Sequence, residues 1–360
     1  MQNFMVSLLV CSLAMSVLAL AYMAATPFLA RHYSEKGRYY AWLIIVLGLV
    51  IPFRPQWGNA LFRVEVPSYA PPPVMQAPDW FIPPITLPPI DHAINSAAPN
   101  ISWWQAIAAV WLLGVVVFLI FHGIRHHRFA NMTRRWSKHI TDEHILSLLE
   151  LVKSGMGIAR RIPIYLCPLA GSPMMIGLIK PRILLPTVEL AQDELRFILK
   201  HELVHYKRKD LLYKHLVVAA TVLHWFNPLV YLMAKAVHAL CETSCDAEVL
   251  RSVDENTRLC YGETIIGVVN YQAKLKTALS TNFYGGKQGM TKRMSSIMDT
   301  RKKKAGAVIA CLVLVLTMGT SVVFATTLSE PQAPEDSFPI GVCCAHCGLI
   351  ATYTDIIDRA

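Results

Sequence analysis

Residues Met1 to Ala30 carry no charged side chain, and a second charge-free run of 24 residues covers Ala305 to Leu328. A helix needs about 20 apolar residues to cross the hydrocarbon of a bilayer, so both runs are long enough to span one. Ile101 to Phe121 is a third such run, entered through Trp103 and Trp104, whose rings suit the membrane interface. Tyr39 to Phe53 is also apolar but only 15 residues long. As a helix it reaches roughly 22 Å, so a crossing there needs neighbouring helices or a thinned bilayer. A cleaved signal peptide is disfavoured for the first run, because no basic segment precedes it and further spans follow. The composition agrees: 54% hydrophobic, 16% charged and a mean hydropathy of +0.39 describe a membrane protein.

The net charge of +10 points away from nucleic acid once its distribution is considered. Arg31, Lys36 and Arg38 follow the first run, and Arg125, Arg128, Arg134, Arg135 and Lys138 follow the third. Basic residues beside apolar runs mark the cytoplasmic side. The expected order is therefore an outside N-terminus, spans at 1–30 and 39–53, and an extracytoplasmic Pro-rich loop at 54–100. A span at 101–121, a cytoplasmic domain at 122–304, a span at 305–328 and an outside tail at 329–360 follow. The tail carries Glu330, Glu335, Asp336, Asp355 and Asp358 against Arg359, as that orientation requires. The implied location is a bacterial cytoplasmic membrane, crossed four times, with no direct nucleic-acid binding.

Within the cytoplasmic stretch lies Lys200-His201-Glu202-Leu203-Val204-His205, in a segment with Leu195, Ile198, Leu199 and Leu203 at helical spacing. Four residues apart on a helix, His201 and His205 leave the same face one turn apart. Two neutral imidazoles so placed can bind one zinc ion, and Glu202 beside them can take a proton from water. Alone, the pattern is equally compatible with two partly exposed helical histidines. Downstream, Cys241-Glu242-Thr243-Ser244-Cys245-Asp246 places Glu242 and Asp246 four apart on a second helical stretch. A catalytic zinc takes three protein ligands and keeps one open position, so Glu242 is expected as the third. Asp246, and Asp210 with Arg208 at the end of the motif helix, are expected around the ligands, Asp246 orienting a histidine. Cys241 and Cys245 flank Glu242, but a His, His, Glu set suits hydrolysis better than a thiolate.

Short strands are expected at Ile162–Leu166, Met174–Ile179 and Ile183–Leu185, with a helix at Glu143–Lys153. The apolar stretch from Leu216 to Val237 is broken by His224-Trp225-Phe226-Asn227-Pro228. A single crossing there would place Glu242 across the membrane from His201 and His205. Ligands within about 2 Å of one ion forbid that, so 211–240 is expected to be a hairpin that enters and leaves on one face. Thr281 to Met290, with Gly285, Gly286 and Gly289, reads as a flexible linker, and the basic residues Lys292, Arg293, Arg301, Lys302, Lys303 and Lys304 follow it. Cys343-Cys344-Ala345-His346-Cys347 in the tail offers soft ligands, or thiols to oxidise if outside.

HELVHYKRKD, HWFNPLVYLMAKAVHAL, CETSCDAEVL and SPMMIGLIKPRILLP, taken in their order along the chain, resemble the BlaR/MecR family of integral-membrane zinc peptidases. The resemblance implies a mainly α membrane protein with four transmembrane helices and an inserted α+β zincin-like (gluzincin) domain. In it the strand around Met174 would hold substrate by strand addition. It implies zinc as cofactor and cleavage of the chain itself or of a protein substrate such as a winged-helix transcriptional repressor. The exposed stretch between Thr281 and Lys304 is the expected region of self-cleavage, and a homodimer is a further partner to test. A membrane quality-control protease and a non-catalytic metal- or redox-responsive transducer are the competing readings. Family members known for β-lactam sensing carry a C-terminal penicillin-binding domain. Here Ser329–Ala360 contains no lysine, so the S-x-x-K nucleophile motif of such a domain cannot lie there.

Overall fold

The computed structural model describes residues 2–51, 62–66, 102–187, 190–274, 286–301, 303–328, 342–343 and 350–351. Most of the Pro-rich loop and of the tail's cysteine cluster lies outside the described residues. In chain order the elements are α1 (Gln2–His32), α2 (Glu35–Val50), β1 (Phe62–Val66), α3 (Trp103–Trp136), β2 (Lys138–His139), α4 (Glu143–Gly155), β3 (Ile164–Leu166), β4 (Met174–Ile176) and β5 (Arg182–Leu185). They continue as α5 (Gln192–Arg208), α6 (Asp210–Leu223), α7 (Pro228–Val249), α8 (Glu255–Lys274), α9 (Gly286–Met298), α10 (Ala307–Val323), β6 (Phe324–Leu328), β7 (Val342–Cys343) and β8 (Ile350–Ala351). The chain divides into two units, one of residues 1–61 with 101–324, the other of 62–100 with 325–360. In the second, β1 and β6 form one two-stranded sheet and β7 and β8 another.

Two helices of the first unit, α1 and α3, are long and apolar enough to cross a membrane. They differ in exposure: 56% of the most apolar window of α1 is buried, against 11% for α3. The α3 face carrying Leu112, Leu113, Leu119 and Phe121 is open, an apolar patch that lipid would cover. The short run at 39–53 forms α2, whose Tyr39, Ala41, Trp42, Ile45, Val46 and Leu49 are at most 2% exposed. A helix enclosed by protein need not match the thickness of lipid, which explains its 16 residues. The expected loop of Arg31, Lys36 and Arg38 shrinks to Tyr33 and Ser34. Lys36 and Arg38 belong to α2, and Arg38 is buried 3.3 Å from Glu35. Close packing fixes that corner: a Cβ on Gly37 would lie 2.2 Å from the Cα of Gly306.

The hairpin expected at 211–240 is present as α6 and α7. Asn227 caps α7, its side-chain oxygen accepting from Leu229 N–H at 3.0 Å, and Pro228 takes the first turn, where no N–H is needed. The tip docks on three helices rather than only on lipid. Asn227 Nδ2 donates to Ser12 and Ser16 of α1 at 2.8 and 2.7 Å, and His224 Nε2 lies 3.0 Å from the Leu49 carbonyl of α2. Trp111 of α3 donates to the Leu223 carbonyl at 3.0 Å, and Trp225 donates to the Trp111 carbonyl at 3.2 Å.

The remaining sheet has the order β2-β3-β5-β4, with β3 and β5 parallel and both outer strands antiparallel to their neighbours. Ile164, Ile183 and Leu185 form its core with Leu195, Ile198, Leu199 and Leu203 of α5 and Leu148, Leu149 and Val152 of α4. The apolar stripe of the motif helix is thus anchored on the sheet, and β4 stands at the sheet's edge. One expectation is corrected here. The glycine-rich, basic stretch is not a connector throughout: residues 286–298 form α9, with Arg293 and Ile297 buried. Ile297, Met290 and Met294 of α9 pack with Val204, Val249, Tyr261 and Ile265, contacts that composition alone does not reveal. Residues 275–285 lie outside the described residues.

Candidate metal centre

The chemistry converges where α5 meets α7. His201 and His205, one turn apart on α5, bring their Nε2 atoms to 3.1 Å from each other. Glu242 on α7 faces the same point, its carboxylate oxygens 3.5 Å from His201 Nε2 and 3.9 Å from His205 Nε2. The opposite edge of each ring meets an acid. His205 Nδ1 lies 2.7 Å from Asp210 Oδ2, and His201 Nδ1 lies 3.2 Å from Asp246 Oδ1 and 2.9 Å from the Tyr261 hydroxyl. Tyr261 donates its own proton to Asp246 Oδ1 at 2.6 Å, so its oxygen is free to accept from His201. With each Nδ1–H donating to an acid, the two Nε2 lone pairs point at each other. Two Nε2 atoms 3.1 Å apart can share a proton or ligate one ion. The residues present therefore fit a divalent metal.

Charge in the pocket favours the same conclusion. Burial works against protonating His201, yet Cys245, Tyr261 and Asp246 outweigh it and raise its pKa well above the ordinary imidazole value. His205 shifts the same way, against burial, through Cys245, Asp210 and Cys241. Burial would raise the Glu242 pKa, but His201, His205, Lys214 and Arg293 hold it well below the usual carboxylate range. The acids and thiols around the two rings thus favour positive charge at this point, which a metal ion could supply.

Of the anticipated residues, His201, His205, Glu242, Asp246 and Asp210 gather at this point. His201, His205, Glu242 and Asp246 stand as expected on two antiparallel helices. Asp210 does more than pair with Arg208, whose Nε is 3.3 Å from its Oδ1, because it also receives His205. Arg208 lies over the Tyr39 ring at 4.5 Å and touches no histidine. Glu202 is buried on α5 beside His201. Two thiols come close as well: His201, His205 and Cys245 form one group able to share an ion, and His205, Asp210 and Cys241 another. Cys241 and Asp210 lie on the Nδ1 side of His205, away from the convergence of the Nε2 atoms. Cys245 donates to the His201 carbonyl at 3.3 Å and its sulfur also lies within 4.8 Å of both imidazoles, while Glu242 is the carboxylate on the Nε2 side.

Sequence reasoning did not find three participants. Tyr261 on α8 contacts His201, Arg293 on α9 clamps Asp246, and Tyr39 on α2 donates to Asp210 Oδ1 at 3.0 Å. Arg293 gave a signal that was absorbed into the basic run beside the last apolar segment. The two tyrosines gave none.

Helices apolar enough to cross a membrane, together with a match to a peptidase family, place the chain among membrane-associated peptidases. More narrowly, it belongs to the BlaR1 peptidase M56 family, which matches residues 6–297. It is similar to a regulatory protein BlaR1 of Bacillus licheniformis, 30% identical over 191 residues, which are 52% of this chain and 32% of that protein. A methicillin resistance mecR1 protein of Staphylococcus aureus is 31% identical over 164 residues, 44% of this chain and 28% of its own length. A regulatory protein BlaR1 of Staphylococcus aureus is 22% identical over 305 residues, 80% of this chain and 50% of that protein. The chain thus spans half or less of the length of these relatives.

Proposed function

We propose that this chain is a membrane-embedded zinc metalloendopeptidase, with His201, His205 and Glu242 as ligands and Glu202 as the proton-transfer group. The facing of the two Nε2 atoms at 3.1 Å, with Glu242 beside both, carries the reading. When bound, zinc supplies a Lewis acid that polarises the scissile carbonyl and acidifies water. The chain's own residues do the rest. Asp210, and Asp246 with Tyr261, hold the imidazoles in the tautomer that presents Nε2. Glu202 takes the proton of the attacking water and passes it to the leaving amine. β4, at the sheet edge, offers its outer backbone groups to an extended substrate, which fixes the peptide by strand addition.

The helices α1, α2, α3 and α10 form the four spans in this reading, with basic flanks placing the peptidase elements in the cytoplasm. Relatives named for regulation and for methicillin resistance support a role in signalling. The substrate would be a cytosolic repressor-like protein or the chain itself. A test compares wild type with Glu202→Ala and His201→Ala in detergent, scoring peptide-library cleavage by mass spectrometry and zinc by elemental analysis. Glu202→Ala should keep one zinc per chain and lose at least about 100-fold in cleavage. His201→Ala should lose both. Undiminished cleavage by Glu202→Ala would refute the assignment.

A further inference from the structure

Arg293 is a buried cation that the proposed chemistry leaves without a task. It lies midway along α9 and is 6% exposed. Its Nε and Nη2 donate to Oδ2 and Oδ1 of Asp246 at 2.7 and 2.9 Å, a two-pronged grip on both carboxylate oxygens. Nη2 also stands 3.6 Å from Glu242 Oε2. The gripped Oδ1 is the atom that faces His201 Nδ1 and accepts from Tyr261. A guanidinium fork fixes the plane of a carboxylate, which a point charge cannot do. With that plane fixed, Oδ1 has one position from which to hold the His201 ring.

We infer that Arg293 is a positioning residue of the metal centre, acting through Asp246 on His201 and bracing Glu242 from the same side. The inference rests on the His201, His205, Glu242 reading above. Arg293 arrives on the segment that leads directly into α10, so the centre is completed by a part of the chain outside the motif helices.

The experiment measures zinc affinity of the full chain in detergent by competition with a chromophoric chelator. The variants are Arg293→Met, Arg293→Lys, Asp246→Asn and the pair Arg293→Met/Asp246→Asn. Arg258→Met is the control, because Arg258 donates to the Ile297 carbonyl at 2.9 Å and so holds α9 without touching Asp246. Arg293→Met is expected to weaken zinc binding by about 10- to 100-fold, as removal of groups that orient metal ligands does. Arg293→Lys should fall short of wild type, since it keeps the charge and loses the fork. Asp246→Asn should match Arg293→Met, and the pair should be within about twofold of Asp246→Asn alone, because one residue acts through the other. Arg258→Met should bind like wild type.

Arg293→Met leaves Asp246 buried and unpaired and can fail to fold; Arg293→Lys and the pair, which removes both charges, then decide the matter. Zinc binding within about twofold of wild type in Arg293→Lys and in the pair, or losses that simply add, would overturn the inference. So would an equal loss in Arg258→Met. If His201→Ala keeps its zinc, the metal reading itself fails, and that result is separate from every outcome for Arg293.

Discussion

The two histidines are backed in different ways. His205 leans on Asp210, just past the end of its own helix, and Asp210 is reached by the Tyr39 hydroxyl of α2 at 3.0 Å. His201 leans on Asp246, which comes from α7 and is gripped by Arg293 from α9. The first arm reaches α2 through a neutral donor, and Asp210 also has buried Arg208 beside it, Nε 3.3 Å from Oδ1 without a formed hydrogen bond. The second is a doubly hydrogen-bonded ion pair of two buried charges. A neutral hydrogen bond can be lost with modest cost, whereas removing one member of a buried ion pair strands the other. One ion centre is therefore tied to two distant helices, α2 and α9, by links of unequal strength.

The largest effects test whether both arms serve one ion. His201→Ala and His205→Ala should each abolish stoichiometric zinc, read by elemental analysis. Zinc retained in one of them would show that the arms do not share it. At the next level the arms should separate. Asp210→Asn and Asp246→Asn should each weaken zinc by about 10- to 100-fold. Asp246→Asn should also cost the metal-free protein about 3–5 kcal/mol in unfolding experiments, because Arg293 is left buried without its partner. Asp210→Asn should cost less, since Arg208 keeps the face of the Tyr39 ring at 4.5 Å.

Acid should act on the Arg293 arm through Asp246. Burial alone would raise the Asp246 pKa, but Arg293 and His201 outweigh it and bring it to about 2, from 3.8 for an ordinary aspartate. A depressed carboxylate stabilises the fold above its unfolded pKa and loses that contribution as pH falls through the folded value. About 2 kcal/mol should therefore disappear between about pH 4 and pH 2, and Asp246→Asn should flatten the slope in that window. Thermal unfolding against pH measures it. A smaller effect is expected on the other arm. Tyr39→Phe removes one hydrogen bond to a charged group and keeps the ring under Arg208, so it should cost roughly 1.5 kcal/mol and weaken zinc only severalfold. Smallest of all, Cys241→Ser and Cys245→Ser should hold zinc within about twofold of wild type, as groups outside the ligand set. Loss of zinc in Cys245→Ser but not in Glu242→Ala would move the third ligand from the carboxylate to the thiol.

The arms also differ in how far they could be read before folding was known. The four-residue spacing of His201 and His205, and of Glu242 and Asp246, reports directly which side chains share a helix face. The requirement that these pairs meet turns 211–240 into an expected hairpin, a stretch that the fold divides between α6 and α7. The partners of the acids are another matter. Tyr39 lies 171 positions from Asp210, Arg293 lies 47 from Asp246, and Tyr261 lies 60 from His201. Local periodicity carries no information across such separations. In the case of Arg293 the surrounding Lys292 and glycines pointed to a solvated connector.

By itself, then, the sequence determined the apolar runs, the motif helix, the second helix that faces it and the three strands beside them. Each of these depends on spacing within about one or two turns or on a run of one chemical type, and such signals survive without neighbours. Only the tertiary structure decided that α2 is enclosed, that the hairpin tip binds Ser12, Ser16 and the Leu49 carbonyl, and that α9 delivers Arg293 to Asp246. Those outcomes belong to buried polar groups that must find partners wherever the fold brings them. The chain's order along its length does not encode which partner that is.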